Sequence, residues 1–162
     1  MALLGFSSSL ASQLDEVVGA AVFLDRDGVI NRTNVVEGKP YAPRSIQDFE
    51  ILKGVPAALG SLVDMGFMIF VVTNQPDLAN GLISWKTLND MHAKLGCLPI
   101  TEIKVCPHSK NHGCECRKPA PGMIKQLAAK YDIDLRKSYL VGDRVSDLKA
   151  GIAAGCKVIF ID

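Results

Sequence analysis

Two aspartates one residue apart close an apolar run, Ala20-Ala21-Val22-Phe23-Leu24-Asp25-Arg26-Asp27-Gly28. A short apolar stretch that ends on a turn residue reads as a buried strand. Asp25 and Asp27 are therefore expected at its carboxyl end, where open α/β sheets bind ligands. Two acids so close resist joint ionisation, so the pair invites either Mg²⁺ or a proton kept on one member. Such a pair suits nucleophilic phosphoryl chemistry, with Asp25 as the attacking carboxylate. Asp-x-Asp-Gly on its own is equally an ordinary strand-ending turn.

Three later segments supply what that chemistry needs. The apolar run Phe67–Val72 leads into Thr73-Asn74-Gln75, a hydroxyl and amides. Arg117-Lys118-Pro119 sets a basic pair ahead of a helix. Tyr139-Leu140-Val141 leads into Gly142-Asp143-Arg144 and then Asp147. In chain order these are a nucleophile, hydrogen-bond donors, a lysine for phosphate charge and a metal-binding acid, each beyond the carboxyl end of an expected strand. Asp147 reads as a helix cap, and Arg26 as a structural residue pointing away from its neighbours if the strand continues through it.

The elements that must position these groups alternate. Strands are expected at 20–25, 67–72, 102–105, 138–141 and 157–161, and helices at 54–65, 84–95, 120–131 and 145–154. That order predicts an α/β domain built on a doubly wound parallel sheet with right-handed crossovers. Residues 28–53, with Gly38, Pro40 and Pro43, are too long for an ordinary connection and read as a flap over the site. Residues 20–162 form the domain and 1–19 an N-terminal extension, in which Leu10–Val18 is either a short amphipathic helix or, the preferred reading, a loose segment.

A chain of 162 residues that is 48% hydrophobic can bury one sizeable core. Eighteen basic against 17 acidic residues leave a net charge of +1, which argues against nucleic acid as a partner. No apolar stretch is long enough to span a bilayer, and Met1–Ala11 lacks the basic start of a signal peptide. The expectation is a cytoplasmic monomer whose partner is a small phosphorylated metabolite.

A second cluster lies at Cys106, His108, Cys114 and Cys116. Three sulfurs and an imidazole within eleven residues suffice for a closed tetrahedral Zn²⁺ shell, which is structural rather than catalytic. The plainer alternative is a loop of free thiols with His108 exposed. A nucleic-acid-binding finger would need a basic recognition helix that is missing here. His112, within the same loop, reads as a solvated side chain, and Cys97 and Cys156 as buried small apolar residues.

Asp-Arg-Asp-Gly-Val-Ile-Asn, Val-Val-Thr-Asn-Gln, Cys-Arg-Lys-Pro-Ala-Pro-Gly-Met and Val-Gly-Asp-x-x-x-Asp resemble the four motifs of the haloacid dehalogenase (HAD) phosphatases. They are most similar to the branch of heptose-bisphosphate and histidinol-phosphate phosphatases. The resemblance implies a HAD-like Rossmannoid fold with a zinc-binding loop, and no cap, since no large apolar insertion follows the first or third motif. It implies Mg²⁺ held by Asp25, the Asp27 backbone carbonyl and Asp143, with Asp27 as general acid and base. Thr73 and Asn74 would donate to the transferring phosphoryl group, Lys118 would neutralise it, and Arg117 would recognise the rest of the substrate. Zinc on Cys106, His108, Cys114 and Cys116 would order the loop that aims Arg117 and Lys118.

The chain also departs from that pattern. Pro76-Asp77-Leu78-Ala79-Asn80-Gly81 stands where the heptose enzymes usually have Ser-Gly-Ile-Ala-Arg-Gly, and Arg144 stands where they commonly have lysine. The chain stops just after its last expected strand, where the family often continues, so it reads as a minimal or a shortened member. D-glycero-D-manno-heptose 1,7-bisphosphate leads as substrate. Histidinol phosphate, another small sugar phosphate, phosphoryl transfer to a sugar hydroxyl, or a catalytically silent zinc-bearing module are the alternatives.

Overall fold

A computed structural model describes residues 17–161; residues 1–16, which hold most of the expected extension, and Asp162 lie outside the described residues. Strand β1 (Ala21–Leu24) is the pivot of the sheet. All four of its residues are buried, although successive side chains point to opposite faces, because both faces are covered. Ala21 and Phe23 enter one apolar cluster, Val22 and Leu24 the other. Strands β4 (Met68–Asn74) and β6 (Tyr139–Gly142) flank β1, and β5 (Glu102–Cys106) and β7 (Lys157–Phe160) lie outside them. The order is β5-β4-β1-β6-β7 and every pairing is parallel, as the alternating pattern predicts.

Helices α1 (Val55–Asp64) and α3 (Trp85–Ala93) bring Leu59, Leu88 and Met91 to the Val22–Leu24 face. Helices α4 (Gly122–Tyr131) and α5 (Val145–Ala154) bring Met123, Ile124, Leu127 and Ala150 to the other. There Phe23 of β1 and Phe70 of β4 stack with ring centroids 5.5 Å apart. Truncating either ring to alanine would cost about 3–5 kcal/mol. Among the described residues no helix is long and apolar enough to cross a membrane.

Three local features differ from the sequence reading. Strand β4 runs through Thr73 and Asn74 rather than ending at Val72, and a single turn of helix, α2 (Pro76–Ala79), follows it. The flap contains an antiparallel hairpin of β2 (Asn34–Val36) and β3 (Lys39–Tyr41). Its two-residue turn sets Glu37 at φ 50° and Gly38 at φ 74°, the positive-φ pair whose twist matches that of the strands. Cys97, expected inside, is exposed just past α3, with its thiol directed at the Lys94 carbonyl at 3.4 Å; Cys156 is buried as expected.

Candidate active site

The backbone of Asp25 still belongs to the sheet, its N–H donating to the Val141 carbonyl at 2.9 Å. Its carboxylate is buried, and Oδ1 accepts from Lys118 Nζ at 2.8 Å. The same ammonium, itself buried, lies 2.7 Å from Asp147 Oδ1. Burial drives the Asp25 carboxyl up to about 6; Lys118 pulls it down, while Asp147 and Asp27 push it further up. Burial works to lower Lys118, but Asp25 and Asp147 outweigh it and hold the ammonium above its ordinary value. Asp147 also caps α5, Oδ2 accepting from the Arg144 N–H at 3.0 Å. The cap expected from sequence is therefore only half of its work.

Asp143 arrives from the end of β6. It fits because residue 28 is glycine: at φ 92°, a Cβ there would lie 2.3 Å from Asp143 Oδ2. Oxygens of Asp25, Asp143 and Asp147 lie within 4.8 Å of one another. Asp143 Oδ1 is buried with no hydrogen-bond partner. Burial holds this carboxyl above its ordinary value, against the pull of Arg144, whose Nε is 3.9 Å away. Three carboxylates face one buried ammonium, which leaves two negative charges, the charge of one divalent cation. An all-oxygen donor set with that deficit fits Mg²⁺.

Asp27 lines the cleft but is held from behind. Oδ1 accepts from Arg26 Nε (3.1 Å), Arg26 Nη2 (2.8 Å) and Asn31 Nδ2 (3.0 Å), and Oδ2 from Arg26 Nη2 (3.0 Å) and Gln75 Nε2 (2.7 Å). Arg26 thus does not point away from its neighbours. β1 has ended at Leu24, and the turn brings the fully buried guanidinium back onto Asp27.

Thr73 is buried, does not line the cleft, and accepts from Gln75 Nε2 at 2.9 Å. Asn74 lines the cleft, yet its amide grips the lysine loop: Oδ1 accepts from the Lys118 N–H at 3.1 Å and Nδ2 donates to the Lys118 carbonyl at 3.0 Å. Sequence reasoning places Asn74 on the phosphoryl group; in the structure its amide also anchors the Lys118 backbone. Asn31 and Gln75 sat inside the quoted motifs without a role, and no spacing signal pointed to them.

Cys106 ends β5, and Cys106, His108, Cys114 and Cys116 gather into one knot. Sγ of Cys116 is 3.3 Å from that of Cys106, 3.4 Å from that of Cys114 and 3.2 Å from His108 Nδ1. Cys106 Sγ is 3.7 Å from both Cys114 Sγ and His108 Nδ1. Ligands about 2.3 Å from a tetrahedral zinc stand roughly 3.8 Å apart, so these edges are near that size. Burial, with Cys106 and Cys114 beside it, pushes the Cys116 thiol up to about 12, so three thiolates would need a cation among them. His112, outside the knot, stacks on His108 with centroids 4.2 Å apart. Arg117 Nη1 donates to the His108 carbonyl at 3.1 Å, tying the basic pair to the knot.

Asp25, Asp27, Asn74, Cys114, Lys118 and Asp147 open on one cleft of about 800 Å³. The hairpin contributes Pro40 and Tyr41 to one wall, and Lys110, Arg117 and Arg144 set cations around it. Arg44 Nε binds Asp77 Oδ2 at 2.7 Å, joining the flap to α2. A buried carboxylate at the carboxyl end of the central parallel strand, backed by a lysine and an acidic cation site beneath a basic cleft, defines a phosphoryl-handling α/β hydrolase.

Comparison with known proteins agrees. A family profile described as HAD-hydrolase-like matches residues 115–162. The D-glycero-beta-D-manno-heptose-1,7-bisphosphate 7-phosphatase of Pseudomonas putida is 35% identical over 146 residues, covering 86% of this chain and 81% of that protein. The corresponding alpha-heptose enzyme of Photorhabdus laumondii is 38% identical, covering 86% and 80%. The crystal structure of the Bordetella bronchiseptica D,D-heptose 1,7-bisphosphate phosphatase, complexed with magnesium and phosphate, superposes with a TM-score of 0.77 at 35% identity, covering 86% of this chain and 78% of that one. The chain belongs to the HAD phosphatases, in the branch of the heptose-1,7-bisphosphate phosphatases.

Proposed function

We propose that this phosphatase is a Mg²⁺-dependent enzyme that removes the 7-phosphate of a D-glycero-D-manno-heptose 1,7-bisphosphate through an aspartyl-phosphate. The observation that carries this reading is the buried Asp25 carboxylate, ion-paired with Lys118 at the floor of a cleft rimmed by Lys110, Arg117 and Arg144. Asp25 attacks phosphorus, and the new oxygen–phosphorus bond forms as the bond to the sugar oxygen breaks. Asp27 gives its proton to the departing alkoxide and later takes one from the attacking water. Lys118, fixed by Asp147 and by Asn74, meets the charge of the equatorial oxygens. Asp25, Asp143 and the Asp27 carbonyl would hold Mg²⁺, which when bound neutralises phosphoryl charge.

The rest of the substrate falls to the rim. Arg117 offers a planar fork for the second phosphate, with Lys110 and Arg144 adding charge. Zn²⁺ on Cys106, His108, Cys114 and Cys116 would fix the loop that carries Arg117 and Lys118; the near-tetrahedral spacing supports it. Among the described residues the 28–53 flap holds no regular element besides the β2–β3 hairpin, which supports a capless enzyme. Residues 20–162 are its catalytic unit, acting as a cytoplasmic monomer.

A phosphate-release screen tests the assignment, with both heptose bisphosphate anomers, histidinol phosphate and common sugar monophosphates as substrates. The highest kcat/KM is expected on a heptose bisphosphate, with phosphorus NMR showing the 1-phosphate retained. A clear preference for histidinol phosphate would overturn the substrate. Silence on every phosphate ester would leave the zinc-bearing module.

A further inference from the structure

Arg26 is among the largest side chains sealed completely inside the protein. A buried guanidinium has only donors, and each needs an acceptor. Nε and Nη2 find Asp27, and Nη1 meets His92 Nε2 of α3 at 3.1 Å, from 66 residues away. The Phe49 ring closes over the guanidinium, 5.4 Å from its central carbon. Because Nη1 can only donate, His92 Nε2 must offer a lone pair, which makes the imidazole neutral with its proton on Nδ1. Burial first and Arg26 second lower His92 to about 4, with Asp27 pulling the other way, in keeping with that state.

We infer that Arg26 and His92 are positioning residues for Asp27: the imidazole fixes the guanidinium, and the guanidinium fixes the plane of the carboxylate that moves the protons. The inference rests on the phosphatase reading above. A purely structural need would not select this arrangement, since a buried ion pair is often no better than apolar residues of the same volume. Proton transfer does select it, because misplacement by about 1 Å can cost on the order of 100-fold. Arg26 grips both oxygens of Asp27, and Gln75 and Asn31 hold the same group from two further directions.

The test exploits what a general acid does. A sugar monophosphate needs a proton on its leaving oxygen, whereas p-nitrophenyl phosphate expels a stable phenolate without one. kcat/KM on each reports events up to phosphoryl transfer to Asp25, so the later hydrolysis step drops out of their ratio. Three variants are compared, His92→Leu, His92→Asn and His92→Gln. Glutamine's carbonyl can reach Nη1; asparagine is a methylene too short and leucine has no acceptor.

The sugar-to-aryl ratio is expected to fall about tenfold in His92→Asn and His92→Leu, and to stay within roughly threefold of wild type in His92→Gln. Thermal unfolding shows whether the two amide variants are equally folded, so the comparison survives a leucine variant that misfolds. Equal losses on both substrates, or the same ratio for asparagine and glutamine, would overturn the positioning role while leaving the phosphatase intact. A wild-type enzyme idle on both substrates would sink the phosphatase reading, and this inference with it.

Discussion

Lys118→Met removes one cation from between two buried carboxylates, and its cost follows from the geometry. The ammonium lies 2.8 Å from Asp25 and 2.7 Å from Asp147, all three groups being buried. Breaking such a pair strands buried charge and typically costs about 3–5 kcal/mol. Asp25 already sits at about 6 rather than 3.8 with the lysine in place, so its anion costs about 3 kcal/mol at neutral pH. Without the lysine the carboxyl rises further. A raised acid binds its proton more tightly when folded, so its penalty is absent below the unfolded value near 3.8 and grows as pH rises through the folded one.

The difference in stability between wild type and Lys118→Met should therefore be small near pH 4 and grow as pH rises above about 6. Guanidinium denaturation in Mg²⁺-free buffer, at several pH values, measures it. A cost that does not change with pH, or one below about 1 kcal/mol at pH 7.5, would refute the charge argument. Activity should vanish as well, but only the pH dependence of stability isolates the electrostatics.

Asp25→Asn should abolish phosphate release while the protein stays folded, and beryllium fluoride should label Asp25 in wild type; a trap on any other residue would displace the nucleophile. Cys116→Ser should cut bound zinc from about one equivalent by elemental analysis and lower the melting temperature, and added Mg²⁺ should not restore activity. Unchanged melting and activity in a zinc-free protein would reduce the knot to a thiol-rich loop. Cys97, being exposed, should react with a thiol reagent in the native state, whereas Cys156, buried and pushed up to about 11 by that burial, should react only on unfolding.

The sheet and the chemistry at the carboxyl ends of its strands were legible for different reasons. Strand β1 announced itself as an apolar run cut off by acids, and the four longer helices by their places between two such runs, because those patterns reflect burial directly. The meeting of Asp25 with Lys118 needed the order of motifs, since 93 residues separate them. What escaped depends on distances that no periodicity encodes. Asn74 looks like a free donor until its amide is seen holding Lys118 on both sides. His92 looks like any polar residue on an amphipathic helix, and only the path of Arg26 through the turn makes it a partner. The hairpin was hidden because its strands are three residues long, too short for alternation to show.

The strand order has a consequence for how the molecule is made. β1 pairs with β4 about 47 residues downstream, but its other neighbour, β6, begins only at Tyr139, and Val22 lies opposite that residue. Emerging from a ribosome, the chain can assemble β1, β4 and β5 while one edge of β1 waits for residues 139–142. Non-local parallel pairing is slow to form, and an unpaired apolar edge is the part of a folding intermediate that recruits other chains. Asp143 and Asp147 follow that strand, whereas Lys118 precedes it and is held by Asn74 of β4. Until β6 docks, the nascent protein therefore holds its nucleophile and lysine without Asp143 and Asp147, and the step that removes the sticky edge is also the one that completes the site.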